Sequence, residues 1–168
     1  DGIKDIKEKI IRTVGNPHDR FKEDHLRMMR AVRFASKLGF TIDQKTKDAT
    51  KELGANIKNV SAERVREEIM KMAADTGNNF ANAIKLLDEV GILKHILPEI
   101  VKLKEFQHTR HHHPEGRTVY DHLIAALRQN KVADPMVNLA ILFHDIGKQK
   151  THKEEPGGKH TYHGHPKE

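Results

Sequence analysis

Apolar positions along the chain recur mostly every three or four residues, the spacing of helices with one inward face, and strand-like alternation is scarce. Residues 3–12 set Ile3, Ile6, Ile10 and Ile11 among charges, and Gly15-Asn16-Pro17 reads as a turn. A strong helix is expected from Lys22 to Leu38. Met28, Ala31, Val32, Ala35 and Leu38 form its inward stripe, Arg27, Arg30, Arg33 and Lys37 lie on another, and Gly39 stops it. Thr41-Ile42-Asp43 begins a second helix reaching about Leu53. Ser61 caps a third, Ala62 to about Ala74, with Glu63 at its positive end and Val65, Ile69 and Met72 as its seam. A fourth is expected from about Asn79 to Val90, with Phe80, Ala83, Ile84 and Leu87 inward and Gly91 as its stop. Ile92-Leu93 and Ile96-Leu97-Pro98 then make a turn-rich stretch.

The second half opens with a loop, His108 to Gly116. Thr118 can cap a helix to about Gln129 with Val119, Leu123, Ala126 and Leu127 inward. Asp134-Pro135 starts another, in which Val137, Ala140 and Ile141 lead to His144-Asp145 before Gly147 closes it. Gly157-Gly158 marks a mobile turn. The fold class expected is all-α, and 168 residues suit one large domain or two small helical ones.

Composition narrows the chemistry. Without cysteine there is no disulfide and no thiolate zinc site, so any metal must be held by His, Asp, Glu and water. No apolar run approaches the ~20 residues that span a bilayer, and no signal-peptide pattern opens the chain. The expectation is a cytoplasmic protein with no membrane partner. A net charge of +6 leans modestly toward a polyanionic partner. Histidine is unusually frequent and, apart from His18, His25 and His95, lies from His108 onward. The chain opens at Asp1-Gly2 and closes at Lys167-Glu168, and is expected to be a piece of a longer protein.

Two constellations carry chemistry. Asp24 and Arg27, three apart, would share a helix face. They are either an ordinary surface ion pair or a base reader, in which the carboxylate accepts from an exocyclic amino group and the guanidinium donates to neighbouring ring or carbonyl acceptors. In the second half His144-Asp145 ends an apolar helix run and His122 lies on a separate helix. Imidazoles and one carboxylate from separate elements suit a divalent metal. His111, His112 and His113 are expected not to be ligands, while His18, His25 and His95 are expected at the surface or in packing. Lys148 is either a phosphate contact or a cation suited to a helix C-terminus.

The run Gly15-Asn16-Pro17-His18-Asp19-Arg20-Phe21-Lys22-Glu23-Asp24-His25-Leu26-Arg27-Met28-Met29-Arg30-Ala31-Val32-Arg33-Phe34-Ala35 resembles the bacterial class II tRNA nucleotidyltransferase and poly(A) polymerase family. The likeness continues through Leu38-Gly39-Phe40-Thr41-Ile42-Asp43 and Val60-Ser61-Ala62-Glu63-Arg64, and Asp1 to Ile6 is similar to the tail of that family's catalytic head. The resemblance implies that Asp24 and Arg27 select CTP and ATP as a templating pair and that Arg64 shapes the nucleotide pocket. Arg30, Arg33 and Lys37 are candidates for RNA contacts. It also implies a magnesium-dependent head, whose D-x-D carboxylates and R-R-D-F-T-x-N element have no counterpart in these 168 residues. The chain alone is therefore expected to be inactive as a transferase. The partners implied are a tRNA or other RNA 3′ end, CTP and ATP.

His113-Pro114-Glu115-Gly116, Asp121-His122, Leu142-Phe143-His144-Asp145-Ile146-Gly147-Lys148 and His163-Gly164-His165 together resemble the HD phosphohydrolase superfamily. By that resemblance the metal ligands are His122, His144, Asp145 and His165, with His163 the rival of His165. The final Asp of the pattern would lie beyond Glu168. The metal implied is a divalent transition ion (Ni, Mn, Co, Fe or Zn), and the chemistry hydrolysis of phosphodiesters. The domain division expected is a head tail at 1–15, a neck and RNA-binding helical region at 16–100, and an HD region at 101–168. CCA addition to tRNA is the leading function. Poly(A) polymerase is a close rival, a stand-alone HD hydrolase a second class, and a non-catalytic RNA-binding module a third.

Overall fold

A computed structural model of the chain describes residues 2–107, 118–151, 153–155 and 159–161, the last two stretches by backbone alone. It is all-α apart from two pairs of very short strands. The first helices and strands are α1 (Gly2–Glu8), β1 (Ile10–Ile11), α2 (Pro17–Glu23), α3 (Leu26–Leu38) and β2 (Thr41–Ile42). Then come α4 (Gln44–Leu53), a 3-10 turn (Gly54–Asn59), α5 (Ala62–Ala73), α6 (Gly77–Glu89), α7 (Leu93–Ile96) and α8 (Pro98–Lys102). A second 3-10 turn, Leu103–Glu105, precedes α9 (Val119–Gln129), α10 (Pro135–Phe143), α11 (Lys148–Thr151), β3 (Lys153–Glu155) and β4 (Lys159–Thr161). The expected His108–Gly116 loop and Gly157-Gly158 turn lie outside the described residues.

The helix expected from Lys22 to Leu38 is two helices. Asn16 caps α2 through the His18 N–H, and Pro17 sits in the first turn, where its missing N–H costs nothing. α2 stops because Asp24 takes an extended backbone (φ −155°, ψ 106°). Its Oδ1 accepts from the Leu26 N–H at 3.1 Å, a local turn that competes with the helix ladder. Asp24 and Arg27 therefore do not share a helix face. Leu38, expected in the core, is exposed.

Thr41-Ile42 does not begin a helix. It pairs in parallel with Ile10-Ile11, through Thr41 N–H to Lys9 O and Asp43 N–H to Ile11 O, both 2.9 Å. Asp43 then caps α4 by accepting from the Thr46 N–H at 3.2 Å. The fourth helix starts at Gly77, capped by Thr76, earlier than expected. The stretch expected to be turns, from Ile92 to Pro98, is helical in α7 and α8.

α6 is the central element. It packs against α3 on one side and α9 on the other, while α10 packs on α5 and α9. Phe80, Ala83, Ile84 and Leu87 of α6 are essentially fully buried, each of the larger ones contributing roughly 1.5–3 kcal/mol of apolar burial. The same apolar cluster runs from Phe21 to Leu142 without interruption. On α10, Val137 and Ala140 are exposed, and Asn138 and Leu142 are buried. The reason is the Asn138 amide. Its Nδ2 donates to Ala73 O and Asp75 O, both at 2.8 Å, and its Oδ1 accepts from Asn130 Nδ2 at 2.9 Å. A buried amide with these partners cannot turn outward without leaving carbonyls unsatisfied. Among the described residues no helix is long and apolar enough to cross a membrane.

Gly77 permits the α6–α9 contact. A Cβ there would lie 2.1 Å from Leu127 O and 2.8 Å from Asn130 O, both backbone atoms that cannot step aside. Gly77→Ala is expected to destabilise the protein by about 1–3 kcal/mol or more, read as a lowered urea midpoint. An unchanged midpoint would show that α6 and α9 can separate freely.

Candidate functional site

The first site forms where α2, α3 and the start of α5 meet. Ser61 caps α5, with its hydroxyl 3.4 Å from the Arg64 N–H, so Arg64 leaves the first turn. Its Nη2 donates to Asp24 Oδ2 at 2.8 Å. The Asp24 partner is thus Arg64, not Arg27. Arg27 donates through Nη1 to Glu23 Oε2 at 2.5 Å and to Arg20 O at 3.0 Å. Burial pushes the Asp24 carboxyl up, but the Arg64 hydrogen bond, the Leu26 N–H and the charges of Arg64 and Arg27 outweigh it and hold it below the ordinary carboxylate range. The result is an ionised acceptor beside two guanidinium groups, all three partly open to solvent.

The basic stripe of α3 divides. Arg30 and Lys37 are exposed. Arg33 instead turns to α5, where its Nε donates to Glu68 Oε2 at 2.8 Å, and its guanidinium lies 4.3 Å from the Phe34 ring centre. Glu68 is only 2 % exposed and also accepts from Lys71 Nζ at 3.1 Å. Burial would push its carboxyl up, but Arg33 and Lys71 together hold it low. Removing one partner of such a pair costs roughly 3–5 kcal/mol where both are buried, well above the ~0–1 kcal/mol typical of an exposed pair such as Arg64–Asp24. Sequence reasoning missed Glu68. The available signal was its place on the stripe of Val65, Ile69 and Met72, where a carboxylate needs a partner.

The second site lies between α9 and the turn after α10. Thr118 and Asp121 form a reciprocal capping box that fixes the first turn of α9 and so sets His122. α10 ends at Phe143, and His144 and Asp145 stand in the turn that follows rather than on the helix. One nitrogen or oxygen from each of His122, His144 and Asp145 lies within 4.8 Å of the others. His144 Nε2 is 3.2 Å and His122 Nε2 3.9 Å from Asp145 Oδ2. His144 Nδ1 is 2.7 Å from Ile141 O. A carbonyl only accepts, so Nδ1 donates to it; Nε2 faces the carboxylate, donating to it when the ring is protonated and open to a metal when it is not, the orientation common in metal-binding histidines. Ligands about 2.0–2.2 Å from a tetrahedral ion sit about 3.4 Å apart; the 3.2 and 3.9 Å separations bracket that spacing, so with small side-chain adjustments two imidazoles and a carboxylate could close on a divalent ion.

Asp145 is 2 % exposed. Burial raises its carboxyl, but hydrogen bonds from His144 and Lys148 reverse the effect and hold it far below the ordinary range. Asp145 in turn raises the His144 imidazole, against burial. Lys148 Nζ lies 2.6 Å from Asp145 Oδ2 and is itself buried. Lys148 therefore opens α11 and balances Asp145, and is not a cation at the C-terminus of α10. His165 and His163, like His111, His112 and His113, lie outside the described residues.

Comparison with known proteins places these sites in context. Residues 39–103 match the family described as "Probable RNA and SrmB-binding site of polymerase A". An A-adding tRNA nucleotidyltransferase of Deinococcus radiodurans is 31% identical over 98% of this chain and 38% of its own length. A CCA-adding enzyme of Lactobacillus helveticus is 54% identical over 42% of this chain and 18% of its own. The crystal structure of a Bacillus stearothermophilus CCA-adding enzyme in complex with CTP superposes with a TM-score of 0.51 at 42% identity, over 54% of this chain and 22% of that one. A tRNA-processing enzyme in its apo form shares the fold at a TM-score of 0.61 and 22% identity, over 88% of this chain and 40% of that one. The chain spans less than two fifths of the length of the curated relatives it matches here.

Lys148 and a metal ion would compete for the same carboxylate oxygen. Calorimetric titration with Mn²⁺ or Ni²⁺ is expected to show weak binding. Lys148→Met should tighten it about ten- to hundredfold, since a hydrogen bond to a charged group is worth about 1.5–3 kcal/mol. Equal affinity in both proteins would rule out the competition.

Proposed function

The chain belongs to the tRNA nucleotidyltransferase and poly(A) polymerase family, and we propose on that footing that it is the base-reading and RNA-binding part of an enzyme adding CCA to tRNA 3′ ends from CTP and ATP. The observation that carries this reading is the convergence of Asp24, Arg27 and Arg64 at one helix junction. Cytosine and adenine each offer an exocyclic amino group next to a ring nitrogen that accepts. An ionised Asp24 takes the amino hydrogen and Arg27 donates to the neighbouring acceptor, so a fixed pair of side chains stands in for a template. Guanine and uracil present a carbonyl where the amino group is required, which would leave Asp24 facing another acceptor. Glu23 and Arg20 O hold Arg27 from behind, and Arg64 holds Asp24.

In this proposal residues 1–15 belong to the end of the catalytic head and residues 16–100 form the neck and RNA-binding region. Arg30 and Lys37 make phosphate contacts, which position RNA without reading its sequence. Arg33 sits on the same stripe, where Glu68 and the Phe34 ring hold its guanidinium. The 168 residues alone do not perform nucleotidyl transfer, which needs the magnesium-binding carboxylates of the head. Residues 101–168 form an HD-type phosphohydrolase region. His122, His144 and Asp145, joined by His165, would hold a divalent transition metal, which when bound lowers the pKa of a water and polarises a phosphoryl oxygen.

A second reading, addition of A alone, draws on the Deinococcus radiodurans relative, whose similarity runs along 98% of this chain. Incorporation into tRNA lacking CCA, by the protein with its natural flanking sequence, separates the two, since only the CCA-adding reading gives C before A. Asp24→Ala is expected to lose discrimination for CTP and ATP over UTP and GTP by about ten- to a hundredfold, the size of one or two well-placed base contacts. Unaltered discrimination would refute the assignment of Asp24.

A further inference from the structure

Two ion pairs of opposite sense reach α5 from the α2–α3 segment. Asp24 meets Arg64 in the first turn of α5, and Arg33 meets Glu68 one turn further along. The two differ in exposure. The side chains of Arg64 and Asp24 are 51% and 26% exposed, while those of Arg33 and Glu68 are 17% and 3%. An exposed pair is screened by water and salt and does not by itself hold a helix in place. A buried carboxylate must keep its partner, so its geometry is enforced. Arg64 and Glu68 are four apart on α5 and share a face, so fixing Glu68 fixes the direction in which Arg64 leaves the helix. Ser61 caps the same end, which keeps the first turn regular but does not set where α5 lies on α3.

We propose that Arg33 and Glu68 are positioning residues for the nucleotide pocket: their buried pair sets the rotation and depth of α5 on α3 and thereby aims the Arg64 guanidinium at Asp24. The proposal rests on the reading of Asp24 and Arg64 as nucleotide-binding residues. Arg33 then contributes to nucleotide choice from a distance, without touching the base. Lys71 binds the second oxygen of Glu68, and the ring of Phe34 backs the Arg33 guanidinium, so neither partner is left to rotate freely.

The test is a carbon-detected carboxyl titration of the 168-residue chain and its Glu68→Gln variant. Glutamine keeps the size of the side chain and removes the charge that draws Arg33 in. Asp24 is held low largely by Arg64, so losing the aim should raise its midpoint toward the ordinary value of about 3.9. Glu63 is the internal control. It lies in the same turn of α5, but its own backbone N–H and the Ser61 hydroxyl keep it low, so its midpoint should not move. Asp24 titrating identically in both proteins would overturn the proposal. So would Asp24 and Glu63 shifting together, since that reports an unwound helix end rather than a lost aim. Should Glu68→Gln fail to fold, Arg33→Lys, which keeps a positive charge beside Glu68 but not the guanidinium fork, is titrated in the same way, and either of the same two results would overturn the proposal. The titration reports only the aim of Arg64, so its failure is distinct from a failure of nucleotide selection in Asp24→Ala.

Discussion

The close approach of α6 to its two neighbours is the contact on which both sites depend. α6 lies between α3 and α9, and its first residue has no side chain because Leu127 and Asn130 backbone atoms occupy that space. Ala81 and Ala83 keep the rest of the helix slim, and both are fully buried. α3 and α9 each carry part of a chemical cluster: Arg27 at the start of one, His122 in the other. A close-packed interior has few voids to absorb a displacement, so the position of α6 constrains both. The Asn138 amide adds a polar tie from α10 to the end of α5, so the helix leading to His144 and Asp145 is docked on the helix that carries Arg64.

Much of this was legible in the residues. Caps were the clearest signals: Ser61, Thr118 and Asp134 each start the helix expected of them, because a short polar side chain before an apolar seam satisfies N–H groups that have no other acceptor. The convergence of His122 with His144-Asp145 also follows the pattern. Other features were hidden because they depend on contacts far apart in sequence. Nothing local marks Thr41-Ile42 as the partner of Ile10-Ile11. Asp24 reads as helical by neighbourhood, yet its side chain bonds the chain two residues on and breaks the helix. Asn138 lies next to apolar residues that look better suited to the core, and takes the buried place because two carbonyls at the end of α5 need a donor. Glu68 is the same lesson with charge: its burial makes sense only when Arg33, 35 residues earlier, is known to face it.

The two sites place their carboxylates under opposite regimes. Asp24 is partly solvated, as are Arg64 and Arg27 beside it. Asp145 is sealed, and its charge is balanced by a lysine from the next helix and by imidazoles. A solvated acceptor is open to a ligand that arrives from water and leaves again. At the sealed one, an incoming ion would first have to displace a buried ammonium group.

The two-residue ladder between Ile10-Ile11 and Thr41-Ile42 is the smallest element of the fold. It ties the chain into a ring that contains α2, the break at Asp24 and all of α3. A segment held at both ends has fewer ways to fluctuate than one held at a single end. The break at Asp24, which on an open strand of chain would be a hinge, becomes instead a rigid corner. If the corner reads bases as proposed, it would discriminate by refusing to adapt, since a base with the wrong edge would meet a frame that does not yield.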